Sequence, residues 1–365
     1  MPAESALSGL ALARAFYARE IAPLLALHFP RLAHAAGLIG PGSEVLGYDS
    51  QRSRDHHWGP RALLFLRDGD LLRDRAAVHA CLADHLPHSF EGFATNFGDP
   101  VSANGVRLMA PTSSGPVQHL IEILSVRGHA KARLGIDTER PLANRDWLAL
   151  PQQRLLETTK GEIFHDAVGE ITALRARLAY FPDDVWRYML ASQWQKISQE
   201  EAFVGRTAEA GDPLGSRLVA ARLVREMMRL CFLIEKRYWP YAKWFGTAFA
   251  ELEIAAQISP SFDAALAAGD FAAREAALAR AYEVIAARHN RLGVTPPLDP
   301  TVRLYHGRPF RVIGADRFAA AVRATIGDSQ LRALDLFGAA DQFVDSTDVL
   351  EKPGAFGATG AVYGP

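Results

Sequence analysis

Three groups of residues in the first third of the chain have the types and spacing needed to handle phosphates and metal ions. Gly42-Ser43 follows a short apolar run, Asp55 and His57 lie on the next polar segment, and Glu122 stands between two apolar pairs. A glycine lets the backbone approach phosphate oxygens closely, and a serine hydroxyl can hold them. Alternate residues of an extended segment point the same way, so Asp55 and His57 can face one metal. This pattern predicts two-metal chemistry on a triphosphate, with Glu122 as the third ligand.

The elements that would position these residues form a mixed region of strands and helices. Hydrophobic spacing predicts an amphipathic helix that a proline ends, then two strands, a second helix and a third strand. In that order the helices and strands are expected over residues 10–28, 35–39, 62–66, 71–86 and 119–126.

From about residue 147 nearly every segment has the pattern of a helix. The strongest helices are expected over residues 185–196, 216–238 and 271–292, followed by a small hairpin over 303–313 and a helix capped by Asp316. The predicted fold class is therefore α+β. We expect a mixed sheet with helices over residues 1–146, an all-α bundle over 147–346 and a flexible, glycine-rich tail over 347–365.

Composition limits the classes of function. The 365 residues are 49% hydrophobic and 22% charged, with a net charge of −1. A balance this neutral argues against a protein that grips nucleic acid through its overall charge. Cys81 and Cys231 lie far apart in apolar helical surroundings, which favours reduced thiols over a disulfide. Without a signal-peptide pattern or an apolar span long enough for a membrane, we expect a cytoplasmic protein that does not bind membranes.

Four stretches of the chain resemble one protein family. They are residues 40–49 (GPGSEVLGYD), 53–61 (SRDHHWGPR), 161–166 (GEIFHD) and 238–245 (YWPYAKWF). They are similar to the bacterial DUF4037 family, within the nucleotidyltransferase superfamily of DNA polymerase β and the aminoglycoside and lincosamide nucleotidyltransferases. The resemblance implies a polymerase β-like nucleotidyltransferase domain followed by a helical domain that closes the cleft and selects the acceptor. It also implies a nucleoside triphosphate as substrate, with ATP included, and Mg²⁺ or Mn²⁺ as the metal.

His57 departs from the superfamily pattern, which has a carboxylate at this position. Asp55 and Glu122 fit the first and third acidic places, so the metal set becomes Asp55, His57 and Glu122. A neutral imidazole removes one negative charge and suits manganese or zinc better than magnesium. Three interpretations stay open: an enzyme with a changed metal preference, an enzyme whose metal is held mainly by substrate phosphates, and a domain that binds nucleotides without turnover.

Several basic residues are further candidates for the nucleotide site. Arg61 follows Gly59-Pro60 and could pair with a phosphate or with a carboxylate of the cluster. Lys243 lies in a resembling stretch, and the related antibiotic nucleotidyltransferases place a lysine of the second domain on the nucleotide phosphates. A cationic stripe recurs at helical spacing and would either face solvent or neutralise the triphosphate. It consists of Arg222, Arg225, Arg229 and Lys236.

Acidic residues elsewhere have open roles. Asp49 would be a solvated turn residue or the source of the missing carboxylate. Glu162, His165 and Asp166 would bind a metal, act as a general base or cap a helix. For Glu201, which follows Glu200, both an acceptor pocket and a solvated helix end fit the sequence.

Together these observations predict a metal-dependent nucleotidyltransferase. It would move a nucleoside monophosphate from the triphosphate to a hydroxyl of an acceptor, which we expect to be a small molecule, and release pyrophosphate. The alternatives are a catalytically weakened nucleotide-binding sensor or regulatory protein, and a toxin-like nucleotidyltransferase that acts on tRNA or protein.

Overall fold

The chain folds into two compact units. A computed structural model describes residues 7–53, 57–101 and 105–364. The first unit comprises residues 1–141 and 154–179, and the second comprises residues 142–153 and 180–365. The chain therefore passes between the units three times. The boundary expected at residue 146 lies between the first two of these crossings.

The first unit is built on a four-stranded mixed sheet. Its strands have the order β5-β2-β1-β6, with β1 antiparallel to both neighbours and β2 parallel to β5. A short hairpin, β3 with β4, lies outside this sheet. The strands are β1 (His34–Leu38), β2 (Arg61–Leu66), β3 (Ser89–Phe90), β4 (Phe93–Ala94), β5 (Leu120–Leu124) and β6 (Glu162–Asp166).

Helices are interspersed with these strands along the chain. The first two are continuous through a π-helical turn at Tyr17–Ile21. The helices are α1 (Gly9–Phe16), α2 (Ala22–His28), α3 (Ser43–Leu46), α4 (Asp68–His85), α5 (Val126–Leu134), α6 (Asn144–Ala149), α7 (Gln152–Thr159) and α8 (Glu170–Arg177). Helix α6 belongs to the second unit, and a unit boundary falls within α7.

The core of the first unit lies between one face of the sheet and helices α1, α2 and α4. Alternate residues of each strand point to opposite faces, so Ala36, Leu64 and Ile123 enter this core together. The helices contribute Phe16 and Leu82, both fully buried. All six residues of β2 are buried, as expected for a strand with a neighbour on each side.

The second unit is almost entirely helical. Trp194 of the first long helix is buried and stacks on Phe318 with ring centroids 4.4 Å apart, and Trp186 donates a hydrogen bond to the Leu233 carbonyl. Its further elements are α9 (Asp183–Glu200), α10 (Phe203–Glu209), α11 (Pro213–Ile234), α12 (Ala242–Phe249), α13 (Ala255–Ala267), α14 (Phe271–Arg291), β7 (Arg303–Tyr305), β8 (Arg308–Val312), α15 (Ala315–Ala324), α16 (Ser329–Ala333), α17 (Ala340–Phe343), α18 (Thr347–Glu351) and α19 (Pro353–Ala358). No helix of the described residues combines the length and apolar character that crossing a membrane requires.

The structure confirms the predicted α+β class and most of the long elements. Strands β1, β2 and β5, helices α4, α9, α11 and α14, and the hairpin of β7 with β8 lie where periodicity and turn residues placed them. Strand β6 was not predicted. It is one of the two edge strands of its sheet, and its sequence includes the polar residues Glu162, His165 and Asp166.

Two local predictions are wrong. The cap of α15 is Gly314 in a left-handed conformation, and Asp316 lies in the first turn of the helix. The carboxy-terminal stretch expected to be a flexible tail forms α18, α19 and a 3₁₀ turn at Thr359–Tyr363. Phe356 is buried there, and the Tyr363 hydroxyl donates a hydrogen bond of 2.7 Å to the Gly338 carbonyl. These contacts outweigh the low helix propensity of glycine.

Candidate functional site

The glycine-containing turn after β1 has a conformation that requires glycine. Gly42 has a φ of +142°, and a Cβ atom there would lie 2.6 Å from Glu44 Oε2 and 2.8 Å from Arg61 Nη2. Ser43 then begins α3. The Gly40 amide on the other side of the turn donates a 2.8 Å hydrogen bond to the Glu157 carbonyl. The turn is therefore fixed at both ends, with little space above Gly42.

A buried ion pair joins this turn to the start of β2. Arg61 Nε and Nη2 donate to Glu44 Oε1 at 3.1 and 2.5 Å, and Nη2 also donates to the Pro41 carbonyl at 3.1 Å. Glu44 is 3% exposed and Arg61 8% exposed. Arg61, which we expected to contact a phosphate or the predicted acidic cluster, uses its guanidinium to hold the turn through Glu44. The pairing partner was missed because Glu44 is distant in sequence and lies in a short helix.

The segment before β2 is held in an unusual backbone conformation. His57 is half-buried with a φ of +53°, and its amide donates to the Arg107 carbonyl at 3.2 Å. A left-handed conformation is uncommon outside glycine, although histidine adopts it more readily than most residues. Next along the chain, Trp58 is buried and packs edge-on against Phe93. Asp55, the predicted partner of His57, lies outside the described residues.

Asp49 anchors two separate parts of the first unit. Its Oδ2 atom accepts hydrogen bonds from the Gly9 amide at 2.8 Å and from Trp58 Nε1 at 3.3 Å. The side chain is half-buried rather than a solvated turn residue. Through these two bonds it connects the start of α1 to the residue that follows His57.

Glu122 projects from the sheet face opposite the core. Its neighbours Ile121 and Ile123 are buried in the core cluster, whereas Glu122 is exposed. Within the described part of the chain, its carboxylate forms no hydrogen bond or ion pair. Strand alternation thus leaves this carboxylate available to a ligand.

The strand directions bring the predicted turn, segment and strand to one edge of the sheet. Because β1 and β2 are antiparallel, the end of β1 that leads to Gly42 lies beside the start of β2, which follows His57. Because β5 is parallel to β2, its start lies at that same edge. Leu63 of β2 is in register with both Gly37 and Glu122. Two strand spacings place the backbones of Gly37 and Glu122 about 10 Å apart.

Residues of β6 have structural partners within the first unit. Glu162 Oε1 accepts a 2.6 Å hydrogen bond from Arg14 Nε. Asp166 accepts from the amides at the start of α8, among them that of Gly169, and from the Thr172 hydroxyl. Partial burial opposes ionisation of Asp166, but these hydrogen bonds together lower its pKa. The structure thus has Asp166 in the helix-capping role, one of the three considered.

His165 belongs to a group of rings at the same edge strand. The Tyr17 hydroxyl lies 2.9 Å from His34 Nε2, and the His165 ring lies 4.8 Å from that of His34. Burial raises the pKa of Tyr17 to about 12, and burial with the nearby His165 lowers the pKa of His34. Both groups are therefore neutral at physiological pH.

The cationic stripe of the second unit is paired with acids of the same unit. Arg222 lies 3.0 Å from Glu200, and Arg225 forms a two-pronged pair with Asp345 at 2.7 and 3.1 Å. Buried Arg229 lies 3.2 Å from Glu226, and Lys236 lies 3.4 Å from Asp183 and over the Trp186 ring. Burial of Arg229 excludes a uniformly solvated face.

The other candidates of the second unit divide into exposed and buried groups. Lys243 is exposed, with its ammonium 4.9 Å from the centre of the Trp244 ring. Tyr238 and Trp239 are buried in the unit's core. Buried Glu201 accepts hydrogen bonds from three consecutive amides at 313–315, so it is neither a solvated helix end nor part of an open pocket.

Among known proteins, a family model matches one stretch of the chain, and a solved structure is similar over most of it. Residues 147–245 match the family model described as "Domain of unknown function (DUF4037)". No curated protein matches the sequence. Among solved structures, the chain is similar to a nucleotidyltransferase-like protein from Exiguobacterium sibiricum, with 11% sequence identity, a TM-score of 0.33 and coverage of 81% of this chain and 82% of that chain.

The DUF4037 resemblance predicted from the sequence is confirmed over residues 147–245. Two of the four stretches that carried the resemblance, 161–166 and 238–245, lie inside this match. The stretches at 40–49 and 53–61, which contain Gly42, Ser43 and His57, lie outside it.

Proposed function

We propose that the first unit carries a polymerase β-type nucleotidyltransferase site, which transfers a nucleoside monophosphate from a triphosphate to a hydroxyl of an acceptor. The observation that supports this most is the convergence of the Gly42 turn, the segment carrying His57 and the start of β5 at one sheet edge. Three segments far apart in sequence contribute phosphate-binding and metal-binding residue types to this edge. Such convergence at strand ends is typical of functional sites.

In this proposal the turn that contains Gly42 and Ser43 binds the triphosphate. Gly42 would supply the positive φ that shapes the turn, and the Ser43 hydroxyl would donate a hydrogen bond to a phosphate oxygen. The Glu44–Arg61 pair would act indirectly, by keeping the turn in the shape that binds phosphate. Arg61 is thus proposed as a positioning residue.

The donor set of the site fits a divalent metal. An exposed carboxylate with no described partner, Glu122, is a suitable ligand for Mg²⁺ or Mn²⁺, and Asp55 would supply a second. His57 would favour Mn²⁺, because imidazole binds it more readily than Mg²⁺. A bound metal would neutralise the triphosphate and the leaving pyrophosphate and activate the attacking hydroxyl. The acceptor is proposed to be a small molecule.

The first test is nucleotide-dependent thermal stability of the whole chain with each triphosphate, with and without Mg²⁺ or Mn²⁺. A ligand at 100 times its Kd adds about 2.7 kcal/mol to the free energy of unfolding. We expect a metal-dependent rise in Tm that Glu122→Gln and Asp55→Asn each abolish. Glu139→Gln is the matched control, since Glu139 is exposed and pairs with exposed Arg127. If no nucleotide shifts Tm, or if Glu122→Gln shifts like the unchanged protein, the proposal is wrong.

A second candidate function, nucleotide sensing without turnover, is favoured by the imidazole of His57 in place of a carboxylate. His57→Asp distinguishes the two, because aspartate also tolerates the left-handed conformation. Restoring the missing charge should tighten Mg²⁺-dependent nucleotide binding at least ~10-fold if one carboxylate is what the site lacks. Release of pyrophosphate by His57→Asp, with none by the unchanged protein, would support the sensor. Release by both would support the enzyme.

A further inference from the structure

Three metal-binding side chains come together where α2 and α4 end. They are His28 in the last turn of α2 and Cys81 and His85 of α4, and one ligand atom from each lies within 4.8 Å of the others. The rings of His28 and His85 are 4.7 Å apart between centroids. Cys81 Sγ lies 3.8 Å from His85 Nδ1. The sequence pattern favours a reduced thiol at Cys81 and does not by itself connect it to His28.

The fold holds this cluster together in two ways. Cys81 and His85 are four residues apart on α4, so their side chains lie on one face of the helix. His28 is held beside them because α2 packs on α4 through Leu25 and Leu82, both in the core cluster. The two helices are therefore already fixed in the fold, and metal binding would order little beyond the three side chains.

We propose that His28, Cys81 and His85 bind one zinc ion. Two imidazoles and one thiolate are ligands that zinc accepts in tetrahedral sites, and a pair of ligands four residues apart on a helix recurs in such sites. Mg²⁺ and Ca²⁺ prefer oxygen ligands and would bind poorly to this set.

The local hydrogen bonding is compatible with metal binding. His85 Nδ1 lies 2.9 Å from the Cys81 carbonyl oxygen, to which it donates in the tautomer that leaves Nε2 as the ligand atom. Partial burial and the nearby Asp84 raise the pKa of the Cys81 thiol, so the metal must displace its proton. Three protein ligands leave the fourth position to water, because His28 and His85 are exposed.

The site is tested with the whole chain, freed of metal by a chelator and titrated with Co²⁺ as the spectroscopic substitute for zinc. We expect a thiolate-to-cobalt charge-transfer band that saturates at one equivalent and disappears when Zn²⁺ is added. Cys81→Ser should abolish the band, whereas Cys231→Ala should keep it. These are the two cysteines of the sequence, and Cys231 is buried in the second unit.

The histidines are tested by affinity. His28→Ala and His85→Ala should each weaken Co²⁺ binding at least ~10-fold, while His306→Ala, an exposed histidine of the second unit, should leave it unchanged. Absence of the band, its survival in Cys81→Ser, or unchanged affinity in both histidine variants would overturn the proposal. Asp55, His57 and Glu122 provide no sulfur, so failure of the nucleotide site would leave this band unaffected.

Discussion

The sheet edge of the first unit and the cationic stripe of the second unit show two different outcomes for charged residues predicted to be functional. At the sheet edge, Glu122 is exposed and its carboxylate has no described partner. In the stripe, each of Arg222, Arg225, Arg229 and Lys236 lies beside an acid of the same unit. Both groups had the spacing that a functional site needs.

The difference comes from what each element packs against. On strand β5 the side-chain direction follows from alternation alone, so burial of Ile121 and Ile123 determines where Glu122 points. On α11 the helical spacing determines which cations share a face, but it does not determine their partners. Arg225 pairs with Asp345 of a segment far away in sequence, whereas Arg229 pairs with Glu226 on α11 itself. A charged pattern therefore predicts direction well and partners poorly.

The largest effect is expected from breaking the buried pair that holds the Gly42 turn. Glu44→Gln should lower the free energy of unfolding by about 3–5 kcal/mol, because it leaves the Arg61 charge buried without a counterion. A double variant with methionine at both positions should lose less, since no buried charge remains. The free energies of unfolding of both variants are measured by denaturant unfolding, and hydrogen exchange of β2 reports the local effect. Equal losses in the single and double variants would contradict a role for the ion pair itself.

The stabilities of the two units are also expected to respond differently to acid. Burial lowers the pKa of His119 and His129 in the first unit to about 4, with Arg133 contributing at His129. Unfolding lets both histidines take up protons below their ordinary pKa of 6.5, so stability is full above pH 6.5 and is lost as pH falls toward 4. The expected loss at pH 5 is about 2 kcal/mol for each histidine.

In the second unit burial raises the pKa of Glu201 to about 7 and of Asp341 to about 6. Their contribution to stability is full below their ordinary pKa values near 4 and is lost as pH rises through 6 to 7. His289, whose pKa burial lowers to about 4, opposes this gain in acid. Hydrogen exchange at pH 7 and pH 5, corrected for intrinsic rates, should show β2 losing protection while α9 changes little. Equal losses of protection in β2 and α9 at pH 5 would contradict this prediction.

A smaller loss of stability is expected from Gly42→Ala. The added Cβ would meet Glu44 and Arg61 and would occupy a backbone conformation that suits glycine, at a cost of about 1–3 kcal/mol. Gly69→Ala in α4 is the matched control, because nothing lies near its Cβ position and alanine favours helices. Thermal unfolding should show a lower Tm for Gly42→Ala and a higher Tm for Gly69→Ala. Similar Tm values would mean that the turn can relax without cost.

The smallest effect is expected in the stripe. Arg225→Ala removes an exposed pair with Asp345 and should change the free energy of unfolding by less than about 1 kcal/mol. If the stripe is structural, nucleotide-dependent shifts in Tm stay unchanged in this variant. A loss of those shifts with stability intact would instead give Arg225 a role in phosphate binding and would weaken the contrast drawn between the two regions.

The sequence predicted those parts of the fold that depend on local pattern. Short apolar runs bounded by turn residues located β2 and β5, and helical spacing located α4 and α11. Edge strand β6 was missed because Glu162, His165 and Asp166 make its sequence largely polar, although Phe164 packs against the core. For the candidate site, the sequence predicted which residue types take part. It did not predict the Glu44–Arg61 pair or the cluster of His28, Cys81 and His85, because these depend on packing between distant segments.

The three crossings of the chain between the units have a consequence for synthesis. The sheet of the first unit lacks its edge strand β6 until residue 166 has been made, after the ribosome has already produced the first piece of the second unit, residues 142–153. Domains usually fold as units from the amino terminus. Here residues 142–153 are synthesised before the rest of their own unit, which begins at residue 180. Folding of the two units is therefore coupled in time during synthesis. Neither unit corresponds to one continuous segment of the gene.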